Sequence, residues 1–520
     1  MEITFLGAAR EVTGSMHRVS YGNEHLLLDC GLFQGRRKEA AEKNKTILFP
    51  LNSIRNIILS HAHLDHSGRI PLLVKNGFQG NVYTTIITRE TAKYLLLDSA
   101  NIQEADANYL NYKALRATLM KEKNSRKKEY NRQEAAEFLK EGQRIKKELV
   151  LEMMARRSME IVEPLYSIAD TEIANEAFFG VPYKTTIEVG TGTTCTFYDA
   201  GHILGSAIVI LRIQENGKTY RICFTGDLGR FHKAILEDPT VSFDPADTDI
   251  DLLITESTYG DRIHEETFGQ REKLKQVIIE TFERGGTIMI PAFAYGRTQE
   301  MLYHLHEFMM NDEIPKMPIY VDSPLASKIT TVFGEHPEAY DHETHETFLS
   351  KGENPFYFDR VTFVDSVEAS MAVNRDETPH IVIAGSGMCE GGRILHHLRH
   401  KIHNPKHTVL LVGFMAEHTL GRRIQELGMK YAMDGRTGEP PVVKILGKEY
   451  PLAAHVEKIE GMSAHGDKNE MLKILVESNL KIKKAAVVHG EEAQSLAFAE
   501  LLRENGIDAF VPSFGESVRL

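Results

Sequence analysis

The chain has 520 residues, 42% of them apolar and 26% charged, with a formal net charge of −12. That length exceeds what one hydrophobic core serves, so two or more domains are expected, and the composition is that of an ordinary globular protein. The acidic balance argues against a general basic footprint for nucleic acid, no apolar run approaches the ~20 residues that span a bilayer, and the four scattered cysteines, Cys30, Cys195, Cys223 and Cys389, form neither a disulfide framework nor a thiolate zinc site.

In chain order, residues 1–30 read as two or three strands with a glycine-containing turn at Glu11–Ser15. The chain opens directly on a strand with no basic leader, so a cytoplasmic protein with reduced, buried cysteines is expected. The strand His25–Cys30 ends on Asp29, a carboxylate that needs a partner if it is buried. It is either a turn-forming residue before Gly31 or an acceptor that holds a neighbouring loop. The apolar run Ile57-Ile58-Leu59 is a buried strand. It runs into Ser60-His61-Ala62-His63-Leu64-Asp65-His66. In an extended loop His61 and His63 point the same way, while Asp65 and His66 point elsewhere. Imidazole and carboxylate are ligands that zinc prefers, and the dense HxHxDH pattern is specific. A short helix follows from Ser67, a strand at Asn81–Thr85, and helix from Thr91.

From about Ala105 to Met159 the chain is nearly free of Gly and Pro and rich in Lys, Arg, Glu, Ala and Leu. It reads as a helical hairpin. Lys121, Lys123, Arg126, Lys127, Lys128, Arg132, Arg144, Lys146 and Lys147 make it basic, so it is either a solvated helical face or an arm laid across an anionic polymer. Alternating α/β texture resumes at Thr191. Its strands end on His202, Asp227 and Glu256, which collects metal-capable groups on one rim of a sheet. From Gln270 to about Lys406 parallel βα units predict a second α/β domain. Gly385-Ser386-Gly387 before a helix offers amides to phosphate or is a plain turn. The last segment returns to short strands and two helices, with His465 and His489 in polar settings. His342 and His345 read as a solvated helix face, and His396 and His397 as helix surface or cleft lining.

His61, His63, Asp65, His66, His202, Asp227 and His489 are too many ligands for one zinc and suit two that share a bridge. Asp227 is the best bridge, because a carboxylate has two oxygens to divide. Two metals about 3.5–4 Å apart hold a bridging hydroxide near neutral pH and clamp the oxygens of an in-line displacement. Phosphodiester hydrolysis also needs a proton for the leaving oxygen. His465 is the spare imidazole for it, with Glu256 to orient it and sustain its charge.

The His61–His66 loop, His202 and Asp227 resemble the metallo-β-lactamase superfamily. Thr255–Gly260, Ser463-Ala464-His465 and Val488–Glu491 are similar to the additional motifs of its β-CASP nucleases, as are Pro291–Arg297 and Gly385–Met388. That group includes the endonuclease subunit of the pre-mRNA 3′-end cleavage complex and its prokaryotic homologues. The resemblance covers nearly the whole chain, with the motifs in family order. It implies an αββα metallo-β-lactamase sandwich (1–262, with the helical arm at about 105–159), an inserted α/β β-CASP domain (263–455), and a C-terminal return that completes the sandwich (456–520). By the same resemblance Asp29 supports the metal loop without binding metal. His61, His63, His202 and Asp227 hold one zinc, and Asp65, His66, Asp227 and His489 the other, with Mn²⁺ as a substitute. Asp65, Glu256 and His465 carry the chemistry. Arg297, Ser386 and Arg393 are candidate substrate contacts, and a histidine at 489 goes with RNA.

Two departures stand out. The interval from His66 to His202 is long for the family because of the basic arm, and on this reading the family's appended RNA-binding domains are expected to be absent. The expected activity is zinc-dependent hydrolysis of single-stranded RNA in processing or decay, leaving 3′-hydroxyl and 5′-phosphate ends, endonucleolytic or exonucleolytic, with RNA as partner, a homodimer as the candidate assembly and no membrane partner. A small-molecule metallo-hydrolase of the same superfamily predicts a closed pocket instead of a groove, and a non-catalytic RNA-binding subunit predicts missing ligands.

Overall fold

The computed structural model describes residues 1–35, 37–123, 136, 138–140, 146–264 and 269–520. Two seven-stranded sheets and a six-stranded sheet organise it. The first runs, in spatial order, Ser517–Arg519, Glu2–Phe5, His17–Tyr21, Glu24–Leu28, Ile54–Ile58, Asn81–Thr85 and Phe178–Val181. The second runs Asp508–Phe510, Lys484–Val487, Leu252–Thr255, Lys218–Phe224, Ala207–Glu215, Thr193–Asp199 and Thr186–Gly190. Residues from the far C-terminal part therefore sit inside or beside both sheets.

Successive strand residues face opposite ways, and both faces of these sheets are covered, which is why the strands read as unbroken apolar runs. Leu26, Leu28 and Ile58 pack inward against Phe197, Val209, Leu211, Ile222 and Ile254 of the facing sheet. Leu27, Ile57 and Leu59 point outward, into a cluster that runs on through Leu96 to Ile288, Ile290 and Ile319 of the third sheet. On the second sheet Ile208, Ile210, Cys223 and Leu253 face out, under Met471, Ile474, Phe498 and Leu502 of the last helices. The result is an αββα sandwich whose one helical layer is shared with the inserted α/β unit.

The six-stranded sheet is wholly parallel, in the order Val361–Phe363, Ile319–Val321, Ile381–Ala384, Ile288–Pro291, Thr408–Leu411 and His455–Lys458. Helix Leu420–Met433 lies on its last strand. Gly428 makes that approach possible, because a Cβ there would stand 2.3 Å from Val456 Cγ2.

The structure shifts several expected boundaries. The helix expected from Thr91 begins at Ile86 and runs to Lys123, because Ile87, Ala92, Leu95 and Leu96 already form its buried face. The α/β texture resumes at Phe178, ahead of Thr191. Thr186–Gly190 is an edge strand with an exposed Thr186 and Glu188, so no apolar run marks it. His397 is neither helix surface nor cleft lining. It is fully buried, with Nε2 2.7 Å from Asp322 Oδ2. His342 is exposed at the start of helix His342–Thr347, as expected. In the arm, helix Ile86–Lys123 packs on Lys147–Ala155 through Leu115, Leu119, Val150, Met153 and Met154. Lys121, Lys146 and Lys147 are exposed. The Lys123 side chain and Arg126, Lys127, Lys128, Arg132 and Arg144 lie outside the described residues. Among the described residues no helix is long and apolar enough to cross a membrane.

Replacing Gly428 by Val forces a side chain into occupied space and is expected to cost about 1–3 kcal/mol. Val456→Ala in the same chain should recover part of it. Urea melts of the two variants, single and combined, check this.

Candidate active site

The site is assembled on the ends of adjacent strands. Asp29 follows Glu24–Leu28, and the histidine loop follows Ile54–Ile58, its parallel neighbour. Asp29 is fully buried with a left-handed φ of 59°. Its Oδ1 accepts from the Ser60 amide at 2.8 Å, and its Oδ2 accepts from the hydroxyls of Ser60 at 3.0 Å and Ser15 at 3.2 Å. Oδ2 also lies 2.6 Å from His66 Nδ1. The carboxylate thus fixes both ends of the loop and turns His66 Nε2 toward the centre. Gly31 is required here, since a Cβ would fall 1.6 Å from the Asp65 carbonyl oxygen.

Leu64–Ser67 is a turn of helix, not extended loop. This helical turn separates Asp65 and His66 from His61 and His63 and lets one short segment serve two positions. Ligand atoms of His61, His63, His202 and Asp227 lie within 4.8 Å of one another, and so do those of Asp65, His66 and His489. Asp227 stands between the sets. Its Oδ2 is 3.5 Å from His61 Nε2 and 3.6 Å from His202 Nε2. Its Oδ1 is 3.2 Å from His66 Nε2 and 3.6 Å from His489 Nδ1. Beside them His465 Nδ1 lies 3.0 Å from Glu256 Oε1 and 4.0 Å from Asp227 Oδ2. Glu256 is itself held by the Leu228 amide, at 2.6 Å from Oε1.

Burial pushes the His61 and His202 imidazoles well below their ordinary pKa, and His63 down to about 4. Burial opposes charge on His66 too, but Asp227 and Asp29 outweigh it and raise it. For His465 the penalty of burial is overcome by Glu256 and then Asp227, which lift it to about 9. Asp227 is raised by burial and lowered more by His489, His66, His465 and His61, so it stays ionised.

These residues fit divalent cations. Imidazole nitrogens approach one another closely, His66 Nε2 to His489 Nε2 at 3.1 Å and His61 Nε2 to His63 Nδ1 at 3.2 Å. Among the described residues His202 Nδ1 is buried without a hydrogen-bond partner, and Asp227 Oδ1 meets only imidazole nitrogens, His66 Nε2 at 3.2 Å and His489 Nδ1 at 3.6 Å. Lone pairs crowded in this way gain most from a shared cation, and neutral imidazoles with carboxylates are the donor set for Zn²⁺ and its first-row neighbours.

The structure brings together Asp29, His61, His63, Asp65, His66, His202, Asp227, Glu256, His465 and His489. The three candidate substrate residues lie in the inserted unit. Arg297 pairs with Glu300. Ser386 Oγ accepts from the Glu390 and Gly391 amides at 3.1 and 3.2 Å. Arg393 Nη1 donates to Asp322 Oδ1 and to the Val364 carbonyl, each at 2.7 Å, so its head is engaged within its own domain. Sequence reasoning missed Ser15, one of the two serines on Asp29, and His264, whose Nε2 lies 2.9 Å from the His465 carbonyl oxygen. It also missed the role of Tyr295, whose ring is 5.8 Å from His63 and whose hydroxyl donates to the Leu204 carbonyl. Tyr295 stood in a quoted motif, whereas His264 carries no pattern that marks it.

Comparison with known proteins adds three family matches: the metallo-beta-lactamase superfamily over residues 10–144, the Beta-Casp domain over 298–424, and the Zn-dependent metallo-hydrolase RNA specificity domain over 449–512. The chain is 33% identical over 519 residues to Ribonuclease TTHA0252 of Thermus thermophilus, covering 100% of both proteins. It is 30% identical over 500 residues to Transcription termination factor FttA of Methanosarcina mazei, covering 95% of this chain and 67% of that protein. The FttA of Methanocaldococcus jannaschii is 29% identical over 506 residues, covering 97% and 69%.

Asp29→Asn removes the charge behind His66. It is expected to weaken divalent-metal affinity about 10–100-fold, as read by titration against a competing chelator.

Proposed function

The chain belongs to the β-CASP ribonuclease family of the metallo-β-lactamase superfamily, a family of metal-dependent nucleases, and from that premise we propose that it hydrolyses phosphodiester bonds of single-stranded RNA in RNA processing or decay. The observation that carries this reading is Asp227 dividing its two oxygens between two histidine sets, with the Glu256–His465 pair alongside. His61, His63, His202 and Asp227 would hold one Zn²⁺, and Asp65, His66, Asp227 and His489 the other. Such ions, when bound, supply a water nucleophile near neutral pH and neutralise charge on the phosphoryl oxygens.

The protein's own groups do the rest. Asp29 fixes the orientation of His66. His465, kept protonated by Glu256, gives its proton to the departing O3′ as the phosphorus–O3′ bond breaks and the oxygen of water joins phosphorus. The products carry a 3′-hydroxyl and a 5′-phosphate. Strand His455–Lys458 belongs to the inserted parallel sheet, so the expected boundary at 455 moves past it: 1–262 with the segment after Lys458 forms the sandwich, 263–458 the insertion, and the substrate passes between the two. The approach of Tyr295 to His63 supports that path, since it sets strand ends of the inserted sheet facing the metal groups.

Purified protein should cut labelled RNA, and chelation should stop it until Zn²⁺ or Mn²⁺ is returned. Asp65→Ala should abolish cutting, and His465→Ala should lower kcat by about 10²–10⁴-fold. Cleavage that persists in chelated Asp65→Ala protein sinks the proposal. Circular and linear RNA, compared in the same assay, separate endonucleolytic from exonucleolytic action.

A further inference from the structure

Next to the histidine cluster, in the seam between the sandwich and the inserted unit, is a cavity of about 230 Å³. One wall is the segment after Asp227, with Arg230 and Lys233. Another precedes His465. The far wall is helical, with Arg271, Glu300, Tyr303 and His304. The volume is below the roughly 300–1,000 Å³ of pockets that enclose a whole small ligand. It suits one unit of a polymer that continues outside.

The cations of this region are already matched, with one exception. Arg271 pairs with Glu307, Arg297 with Glu300, and Arg230 Nε lies 3.5 Å from Glu470 Oε2. Among the described residues the Lys233 ammonium makes no ion pair or hydrogen bond. Glu300 is within Coulombic reach of it but is engaged by Arg297. Burial lowers Lys233 to about 8, which leaves it largely charged at neutral pH. Two other groups in the lining, Arg230 Nε and His304 Nδ1, are buried and make no close hydrogen bond among the described residues, each facing a carboxylate only at longer range, Glu470 at 3.5 Å and Glu307 at 3.9 Å. An ammonium with no carboxylate of its own in a partly buried seam is costly unless an anion completes it. The field of Lys233 reaches His202, so such an anion would sit close to the cluster without being part of it.

We propose that this cavity is a backbone-phosphate subsite in which Lys233, with Arg230 and His304, receives a phosphate of the RNA strand adjacent to the one being cut. The assignment rests on the ribonuclease reading, and Lys233 acts in it as a positioning residue. No motif points to Lys233 in the sequence. It is identified by having no carboxylate of its own in a region where each arginine has one.

The test is steady-state cleavage of a labelled single-stranded RNA across a range of KCl by wild type, Lys233→Met and Lys233→Arg. Lys233→Met should raise KM about tenfold, with the loss falling on KM and not on kcat. Removing one phosphate contact should also flatten the slope of log KM against log salt by about 0.7. Lys233→Arg should restore both. The melting temperature of Lys233→Met should be no lower than that of wild type, because no ion pair is broken. A lowered melting temperature with no rescue by arginine would mean a structural lysine and overturn the subsite. A wild type that cuts RNA while Lys233→Met keeps its KM and salt slope overturns the subsite alone. A wild type that cuts no RNA overturns the ribonuclease reading and the subsite with it.

Discussion

An ionised carboxylate buried among imidazoles is the interaction on which the site depends. Asp227 is 2% exposed, a place where a lone charge costs several kcal/mol. Its charge is tolerable only because His61, His66, His202 and His489 all approach it, and their crowding is tolerable only because it is there. The sheet topology exists to deliver those partners. Lys484–Val487 lies parallel to Leu252–Thr255, with Val487 level with Thr255. Glu256, one residue on, and His489, two residues on, therefore emerge at one edge although 233 positions separate them. The C-terminal strand is thus as much a part of the site as the histidine loop.

The same logic orders the groups that touch no metal position. Asp29 compensates His66 from behind, Ser15 and Ser60 compensate Asp29, and Glu256 compensates His465. Each buried charge has a partner of its own, and each partner is pinned by backbone amides or hydroxyls. Such nested satisfaction fixes geometry more tightly than any single pair. It also keeps His465 protonated a few ångströms from the neutral imidazoles of His61, His63 and His202.

The positions of these groups along the chain were largely legible. Ile57–Leu59 and Ala207–Leu211 are strands buried on both faces, and polar residues at their ends stand out against the apolar run. What the sequence hid was whatever depends on contacts between distant segments. The turn of helix at Leu64–Ser67 is too short for any periodicity, yet it is what parts the two ligand sets. The edge strand Thr186–Gly190 lacks an apolar run because one of its sides faces solvent. His397 looked like surface because its partner, Asp322, lies 75 positions away and is itself buried. The arm was recognised by composition, and its described core of Leu115, Leu119, Met153 and Met154 explains why two charged helices stay together.

A chain with a net charge of −12 must still attract a polyanion. Distributed charge is screened within about 8–10 Å at ordinary salt, so the overall acidity acts weakly on a strand already in the cleft. Local cations in a low-dielectric seam act strongly, because charged walls focus the field there. Most arginines beside the cluster carry their own carboxylates and present little net field. The balance is set by the few groups left unmatched, together with whatever cations the histidines hold. Affinity for RNA in such a protein therefore depends on a small number of phosphate contacts close to the chemistry. This predicts a shallow salt dependence compared with proteins that bind through a broad basic face. On the ribonuclease reading and the phosphate subsite proposed above, the strand is gripped where it is cut, so binding and positioning for hydrolysis are one event.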